Sequence, residues 1–118
     1  RYECGTLNTI GCLGGRAGID VWREIGGPVI SDGVLRLAGQ IYDGVRAKGL
    51  DVLVERTPET ASGIVSFRHP SIDARALVAK LREAPISAAP RQGWVRTSPH
   101  FYVDPDQIAR FLDLLPAV

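Results

Sequence analysis

The sequence predicts an α+β fold, in which a small, largely antiparallel sheet packs against helices in the order α-α-β-β-α-β-β-α. Residues 9–48 carry apolar side chains at helical spacing, and residues 51–98 contain short runs that alternate as strands do. A capped helical pattern returns after residue 103. The chain has 118 residues, which is the size of one domain, so we expect a single core.

Two helices are expected first, at residues 9–25 and 28–48. Asn8 is a favourable N-cap for the first helix, and Gly26 supplies the left-handed position that ends it. Gly49 ends the second helix in the same way. Each helix carries one apolar stripe, formed by Ile10, Leu13, Ala17, Val21 and Ile25 in the first and by Ile30, Val34, Leu37, Ile41 and Val45 in the second.

Four strands and a helix should follow. The strands are expected at residues 51–55, 64–68, 86–89 and 94–98, and the helix at residues 73–83. The tetrapeptide Pro90-Arg91-Gln92-Gly93 is turn-like, which predicts that it joins the last two strands as a hairpin.

The last helix has the strongest local signals. Asp104 is expected to cap it, Pro105 suits its first turn, and Gln107 stands at the capping-box position. Its apolar stripe consists of Ile108, Phe111, Leu112 and Leu115.

Composition argues against several classes of function. The formal net charge is +1, with acids and bases mixed along the chain, so no basic patch for nucleic acid is expected. No apolar run approaches the roughly 20 residues that a membrane-spanning helix needs. Cys4 and Cys12 predict reduced thiols in a cytoplasm, and neither has metal-ligand spacing to His69 or His100. The absence of methionine indicates a piece of a longer protein.

Arg96 is the first candidate for a binding residue. On a strand, Val95 and Thr97 face one side and Arg96 faces the other, where its guanidinium offers a fixed fork of donors that matches a carboxylate. The alternative is a structural salt bridge to one of the thirteen acids. Arg91, in the turn, is either a second binding residue or merely solvated. His100 alone is interpreted as a packed or hydrogen-bonded turn residue.

A second candidate is the segment Gly5-Thr6-Leu7-Asn8, which stands directly ahead of the first helix. Backbone N–H groups and a hydroxyl at a helix start form a natural anion site, whereas the alternative is simple capping by Asn8. Four glycines inside the helical pattern are interpreted as a site of close packing, because a nucleotide-binding loop would need a preceding strand: Gly11, Gly14, Gly15 and Gly18.

Three segments together resemble the carboxyl-terminal region of the class V aminotransferase superfamily, which includes cysteine desulfurases, isopenicillin-epimerase-like proteins, serine–glyoxylate-type aminotransferases and kynureninases. They are Arg1-Tyr2-Glu3-Cys4-Gly5-Thr6-Leu7-Asn8, the strand Gly-Ile-Val-Ser-Phe at residues 63–67, and Val95-Arg96-Thr97-Ser98-Pro99-His100-Phe101-Tyr102. The likeness covers nearly the whole chain, so residues 1–118 are identified as a carboxyl-terminal small domain.

The resemblance implies roles for individual residues. Arg96 would hold the α-carboxylate of an amino-acid substrate. Thr6, with Gly5 beside it, would reach the phosphate of pyridoxal 5'-phosphate in the partner subunit's active site, which makes the complete enzyme a homodimer with a large cofactor-binding domain. Asn8 and His100 would neighbour the site.

The chain departs from the family in three ways. The lysine that binds the cofactor belongs to the large domain, and Lys48 and Lys80 lack its histidine-lysine context, so no catalytic residue is expected here. The nucleophilic cysteine of cysteine desulfurases is missing from the connection at residues 90–93, which favours aminotransferase, epimerase or lyase chemistry. Val103 replaces a common asparagine.

Two other hypotheses remain open. In the first, the chain is a free-standing α+β binding or regulatory module without catalysis. In the second, it is a fragment of a cysteine desulfurase that uses Cys4 as a sulfur carrier.

Overall fold

The computed structural model describes Gly5 and residues 8–118. The chain divides into two compact units, Arg1–Ile30 and Ser31–Val118, which we call the amino-terminal and carboxyl-terminal units. Its elements confirm the predicted order: α1 (Thr9–Ile25), α2 (Gly27–Ala47), β1 (Asp51–Val52), β2 (Val65–Arg68), α3 (Ala74–Glu83), β3 (Ala89–Arg91), β4 (Trp94–Thr97) and α4 (Pro105–Leu114).

The amino-terminal unit contains α1 and the start of α2. The Asn8 side chain accepts a hydrogen bond from the Gly11 N–H at 2.9 Å, and Gly26, with φ 94°, ends α1 as predicted. No residue of α1 is buried, although every one of its residues is described. Apart from the adjacent residues and backbone of α1 itself, no described atom lies within 4 Å of a Cβ built on Gly14, Gly15 or Gly18, so the close packing that the sequence predicted for them is not made within this unit.

The carboxyl-terminal unit is built on a four-stranded antiparallel sheet in the order β1-β2-β4-β3. One face of the sheet packs against the apolar stripes of α2, α3 and α4, and Phe67 meets Phe111 edge to face at 6.1 Å between ring centroids. The buried core consists of Leu37, Ala38, Ile41, Val45, Leu50, Val65, Phe67, Ala74, Leu77, Val78, Leu81, Val95, Ile108, Phe111 and Leu115.

The first strand is shorter than predicted, because tertiary contacts draw the chain away from the sheet after Leu53, whose N–H still donates to the Ser66 carbonyl at 2.9 Å. The Glu55 carboxylate pairs with Arg46 of α2 at 3.5 Å and accepts a hydrogen bond from the Tyr42 hydroxyl. The turn that follows is held by its own side chains. Thr57 donates to the Glu59 carboxylate at 2.6 Å, and this hydrogen bond, with that from the backbone N–H of Glu59, lowers the pKa of Glu59.

The hairpin of β3 and β4 is tighter and lies further along the chain than the expected tetrapeptide turn. Gln92 and Gly93, with φ 48° and 83°, form a two-residue connection of the kind that matches strand twist. Pro90 lies within β3 and not in the turn. A proline is tolerated there because β3 is an edge strand, where no second ladder needs its missing N–H.

Helix α4 shows the predicted capping box. The Asp104 side chain accepts from the Asp106 N–H at 2.9 Å, and the Gln107 side chain accepts from the Asp104 N–H at 3.1 Å. Among the described residues, no helix is long and apolar enough to cross a membrane, and no group of three potential metal ligands is found.

Replacing Asp104 with alanine should therefore lower the free energy of unfolding by about 1 kcal/mol, because first-turn N–H groups of α4 lose their acceptor. Urea denaturation followed by circular dichroism measures the change. Asp113→Ala is the matched control, since it removes the same charge from the exposed last turn of α4 without touching a cap. Equal losses in both variants would contradict a role for the capping box.

Candidate functional site

Within the carboxyl-terminal unit, the sheet has a second face that the helices of this unit do not cover, which we call the open face. On β4, Val95 and Thr97 are buried whereas Arg96 is exposed, as the alternation in the sequence predicted. Arg96 lies opposite Ser66 of β2 on one side and Ala89 of β3 on the other. Strand pairing on both sides fixes the backbone of Arg96 and directs its side chain outward from the sheet.

Arg68 also lies on the open face, but it already forms an ion pair within the chain. Its Nε donates to the Asp51 carboxylate at 3.0 Å, and its guanidinium carbon lies 4.6 Å from the centroid of the Trp94 ring. An ion pair on one side and a cation–π contact on the other hold Arg68 in place. The same contacts fix the Trp94 ring beside Arg96, two residues further along β4.

A concavity of about 520 Å³ opens on this face, lined by Leu53, Ser66, Pro90, Arg91, Gln92, Trp94 and Arg96. Two of its lining residues, Arg91 and Arg96, are cationic, and none is acidic. In the part of the chain that the structure describes, neither arginine forms an ion pair, so the salt bridge considered as the alternative role of Arg96 is not found there. The surface is suited to binding an anion through guanidinium donors.

His100 lies elsewhere, in the loop between β4 and α4. Its ring stacks on Tyr102 with centroids 4.2 Å apart and contacts Phe101 at 4.8 Å. It lines a separate cavity of about 340 Å³, with Ile41, Pro85, Ile86, Ser87, Thr97, Ser98, Pro99, Tyr102, Val103, Gln107, Ile108 and Phe111. The structure therefore brings Arg91 and Arg96 together but leaves His100 in another cavity.

The residues predicted to bind the cofactor belong to the amino-terminal unit. Thr6 lies outside the described residues, and Gly5 is exposed with φ 99°. The side-chain oxygen of Asn8 is used in capping α1, as the alternative interpretation predicted. The first turn of α1 has no acidic side chain, and the N–H groups of Thr9 and Ile10 have no acceptor within the helix, so this end fits a phosphate group.

The two lysines of this chain lie away from the concavity of the open face. The Lys48 ammonium donates to the Leu115 carbonyl at 3.0 Å, and Lys80 is exposed in the last turn of α3. Neither lines the concavity of the open face. Among the described residues, the concavity therefore offers guanidinium groups for an anion, with neither lysine beside them.

Sequence reasoning missed Ser66, Arg68 and Asp51 as neighbours of the site. The alternation of residues 64–68 contained the signal, since Ser66 and Arg68 share the face opposite to Val65 and Phe67. Only the register between β2 and β4, which pairs Ser66 with Arg96, shows that this face is the one that carries Arg96.

No protein-family model and no curated protein matches this chain. Several solved structures are similar to it, and three of them illustrate the likeness. The first is the apo cysteine desulfurase from Thermococcus onnurineus NA1, with a TM-score of 0.89 and 26% identity over 97% of this chain and 32% of that one. The second is a NifS-like protein, with a TM-score of 0.77 and 20% identity over 93% of this chain and 33% of that one.

The third is the cystine C-S lyase C-DES in complex with its reaction product cysteine persulfide, with a TM-score of 0.62 and 22% identity over 70% of this chain and 22% of that one. This chain therefore spans a third or less of the length of each of these structures. The predicted resemblance to the class V aminotransferase superfamily is confirmed by its fold.

Proposed function

We propose that this chain is the carboxyl-terminal small domain of a pyridoxal-phosphate-dependent enzyme that acts on an amino acid, and that Arg96 binds the α-carboxylate of the substrate. The observation that supports this most is the position of Arg96, which is exposed on the open face in a concavity that no acidic side chain lines. The similarity to a cysteine desulfurase over 97% of the chain supports the enzyme class.

The remainder of the enzyme would be a large domain that holds the cofactor through its own lysine. The cysteine desulfurase from Thermococcus onnurineus NA1 is about three times as long as the region that this chain matches, so its remaining length can accommodate a domain of that kind. Gly5, Thr6 and Asn8, which precede α1 in the sequence, would contribute to the phosphate site of a partner subunit in a homodimer. We place the enzyme in the cytoplasm, where Cys4 and Cys12 would stay reduced.

The contribution of Arg96 to catalysis would be orientation. Its backbone is held by strand pairing on both sides, and its planar guanidinium binds a carboxylate through two parallel hydrogen bonds. Fixing the carboxylate leaves the Cα–H bond at a defined angle, and a defined geometry lowers the entropic part of the barrier. When bound, the cofactor supplies the electron sink that stabilises charge at Cα.

We infer aminotransferase, epimerase or lyase chemistry. The β3–β4 connection consists of Gln92 and Gly93, so it offers no thiol for sulfur transfer. His100, which lines its own cavity, would act from the rim of the site and not beside Arg96.

Binding of paired ligands to the complete protein that contains this chain tests the proposal. Both an amino acid and the amine that lacks its carboxylate should change the visible absorbance of the bound cofactor. We expect the amino acid to do so at a concentration at least about 100-fold lower than the concentration of amine required, because the amine cannot accept the hydrogen bonds from Arg96. Equal potency of the two ligands would contradict the role of Arg96. A complete gene product that binds no pyridoxal phosphate would instead favour the free-standing binding module.

A further inference from the structure

We infer that the substrate carries a second anionic group besides its α-carboxylate, and that Arg91 binds it. This inference rests on the proposed function and specifies its substrate class as acidic amino acids. It starts from the presence of two arginines, Arg91 and Arg96, in one concavity of the open face.

The strand register sets the distance between the two arginines. Arg91 of β3 lies opposite Trp94 of β4, and Arg96 follows Trp94 by two residues on the same face. Residues related in this diagonal way have Cα atoms roughly 7–8 Å apart. Two long side chains that start at this spacing can hold the two acidic groups of one small molecule, with the Trp94 ring beneath the carbon chain that joins them.

Arg91 and Arg96 differ from the neighbouring Arg68 in that neither forms an ion pair with a described acid. Arg68, which also lies on the open face, forms an ion pair with Asp51 at 3.0 Å. Asp73 lines a neighbouring cavity together with Arg91, where its carboxylate caps α3 by accepting from the N–H groups of Arg75 at 2.9 Å and Ala76 at 3.4 Å and forms no ion pair with Arg91. Among the described residues no acid pairs with Arg91 or Arg96, so the concavity keeps both positive charges for a ligand.

A substrate with a single carboxylate would use only one of these charges. Arg96 would be satisfied, whereas Arg91 would be partly desolvated against a neutral side chain, which costs free energy. An acidic side chain satisfies both guanidinium groups. A site built in this way rejects the neutral analogue of its substrate because a polar group is then left unpaired.

The test compares acidic amino acids with their neutral analogues on the complete protein. Isothermal titration measures the affinity for three pairs: aspartate and asparagine, glutamate and glutamine, phosphoserine and serine. We expect the acidic member of at least one pair to bind about tenfold more tightly or better, as one charge-assisted hydrogen bond gives. Arg91→Gln should remove this preference. Arg82→Gln is the control, because it deletes the same charge from the exposed end of α3, away from the concavity.

The outcomes separate the two proposals. Equal affinity within all three pairs, or a preference that survives in Arg91→Gln, would overturn the inference while the carboxylate role of Arg96 stands. A preference that falls equally in Arg82→Gln would show only long-range attraction, which also overturns it. If Arg96→Lys leaves the affinity for every one of these amino acids unchanged, the proposed function itself is wrong.

Discussion

In the complete protein, Arg96→Lys is expected to lower kcat/KM by at least about 100-fold. Lysine keeps the positive charge but replaces the planar fork by a point charge, so the two parallel hydrogen bonds to the carboxylate cannot form. A charge-assisted hydrogen bond contributes about 1.5–3 kcal/mol, and each 1.4 kcal/mol corresponds to a factor of ten in rate or affinity. Because Arg96 is exposed and pairs with no described acid, the fold should not depend on it.

Steady-state kinetics and urea denaturation of the same variant measure the two parts of this prediction. The free energy of unfolding should stay within about 0.5 kcal/mol of the parent value, as for most surface substitutions. Arg82→Lys, on the surface of α3, is the matched control for exchanging an arginine for a lysine. A variant that keeps normal kcat/KM would show that Arg96 does not bind the substrate carboxylate.

Phe67→Ala should have the largest effect on stability, a loss of about 3–5 kcal/mol in the free energy of unfolding. Phe67 is completely buried on β2 and packs edge to face against Phe111 of α4. Removing the ring loses its hydrophobic burial and leaves a cavity between the sheet and α4 that the surrounding residues fill only in part. Since domains are stable by only about 5–15 kcal/mol, a large part of the total would be lost.

Thermal and urea denaturation of the parent protein and of Phe67→Ala measure this difference in the free energy of unfolding. Ser66→Ala is the control from the adjacent position, whose side chain lies on the open face, and its effect should stay within about 0.5 kcal/mol. If Phe67→Ala cost no more than Ser66→Ala, the core of the carboxyl-terminal unit would not lie where the structure has it.

Local signals predicted the helices well. Asp104 and Gln107 form the capping box of α4, and Gly26 and Gly49 have the positive φ that a helix end requires, with values of 94° and 79°. Each of these features depends on residues within a few positions of one another, so the sequence contains what decides it. The strands were less predictable, because Glu55 leaves the sheet for contacts with α2 that are distant in the sequence.

The sequence predicted which side of its strand Arg96 occupies, but not which residues of other strands surround it. Alternation along β4 correctly placed Arg96 opposite to Val95 and Thr97. The pairing of Ser66 with Arg96 depends on the register of two strands that lie about thirty residues apart, which no local pattern specifies. His100 was predicted beside the substrate, but the chain turns after Thr97 and places it in another cavity, so its role remains a prediction.

The outer strands of the sheet have a consequence for how copies of this protein behave in concentrated solution. An exposed strand edge with a long row of free N–H and C=O groups is a template for amyloid-like stacking. Here one edge strand has only two residues and the other has three, including Pro90, which has no N–H to donate. Neither edge can recruit another strand over a useful length, so the small sheet is protected against intermolecular β-aggregation.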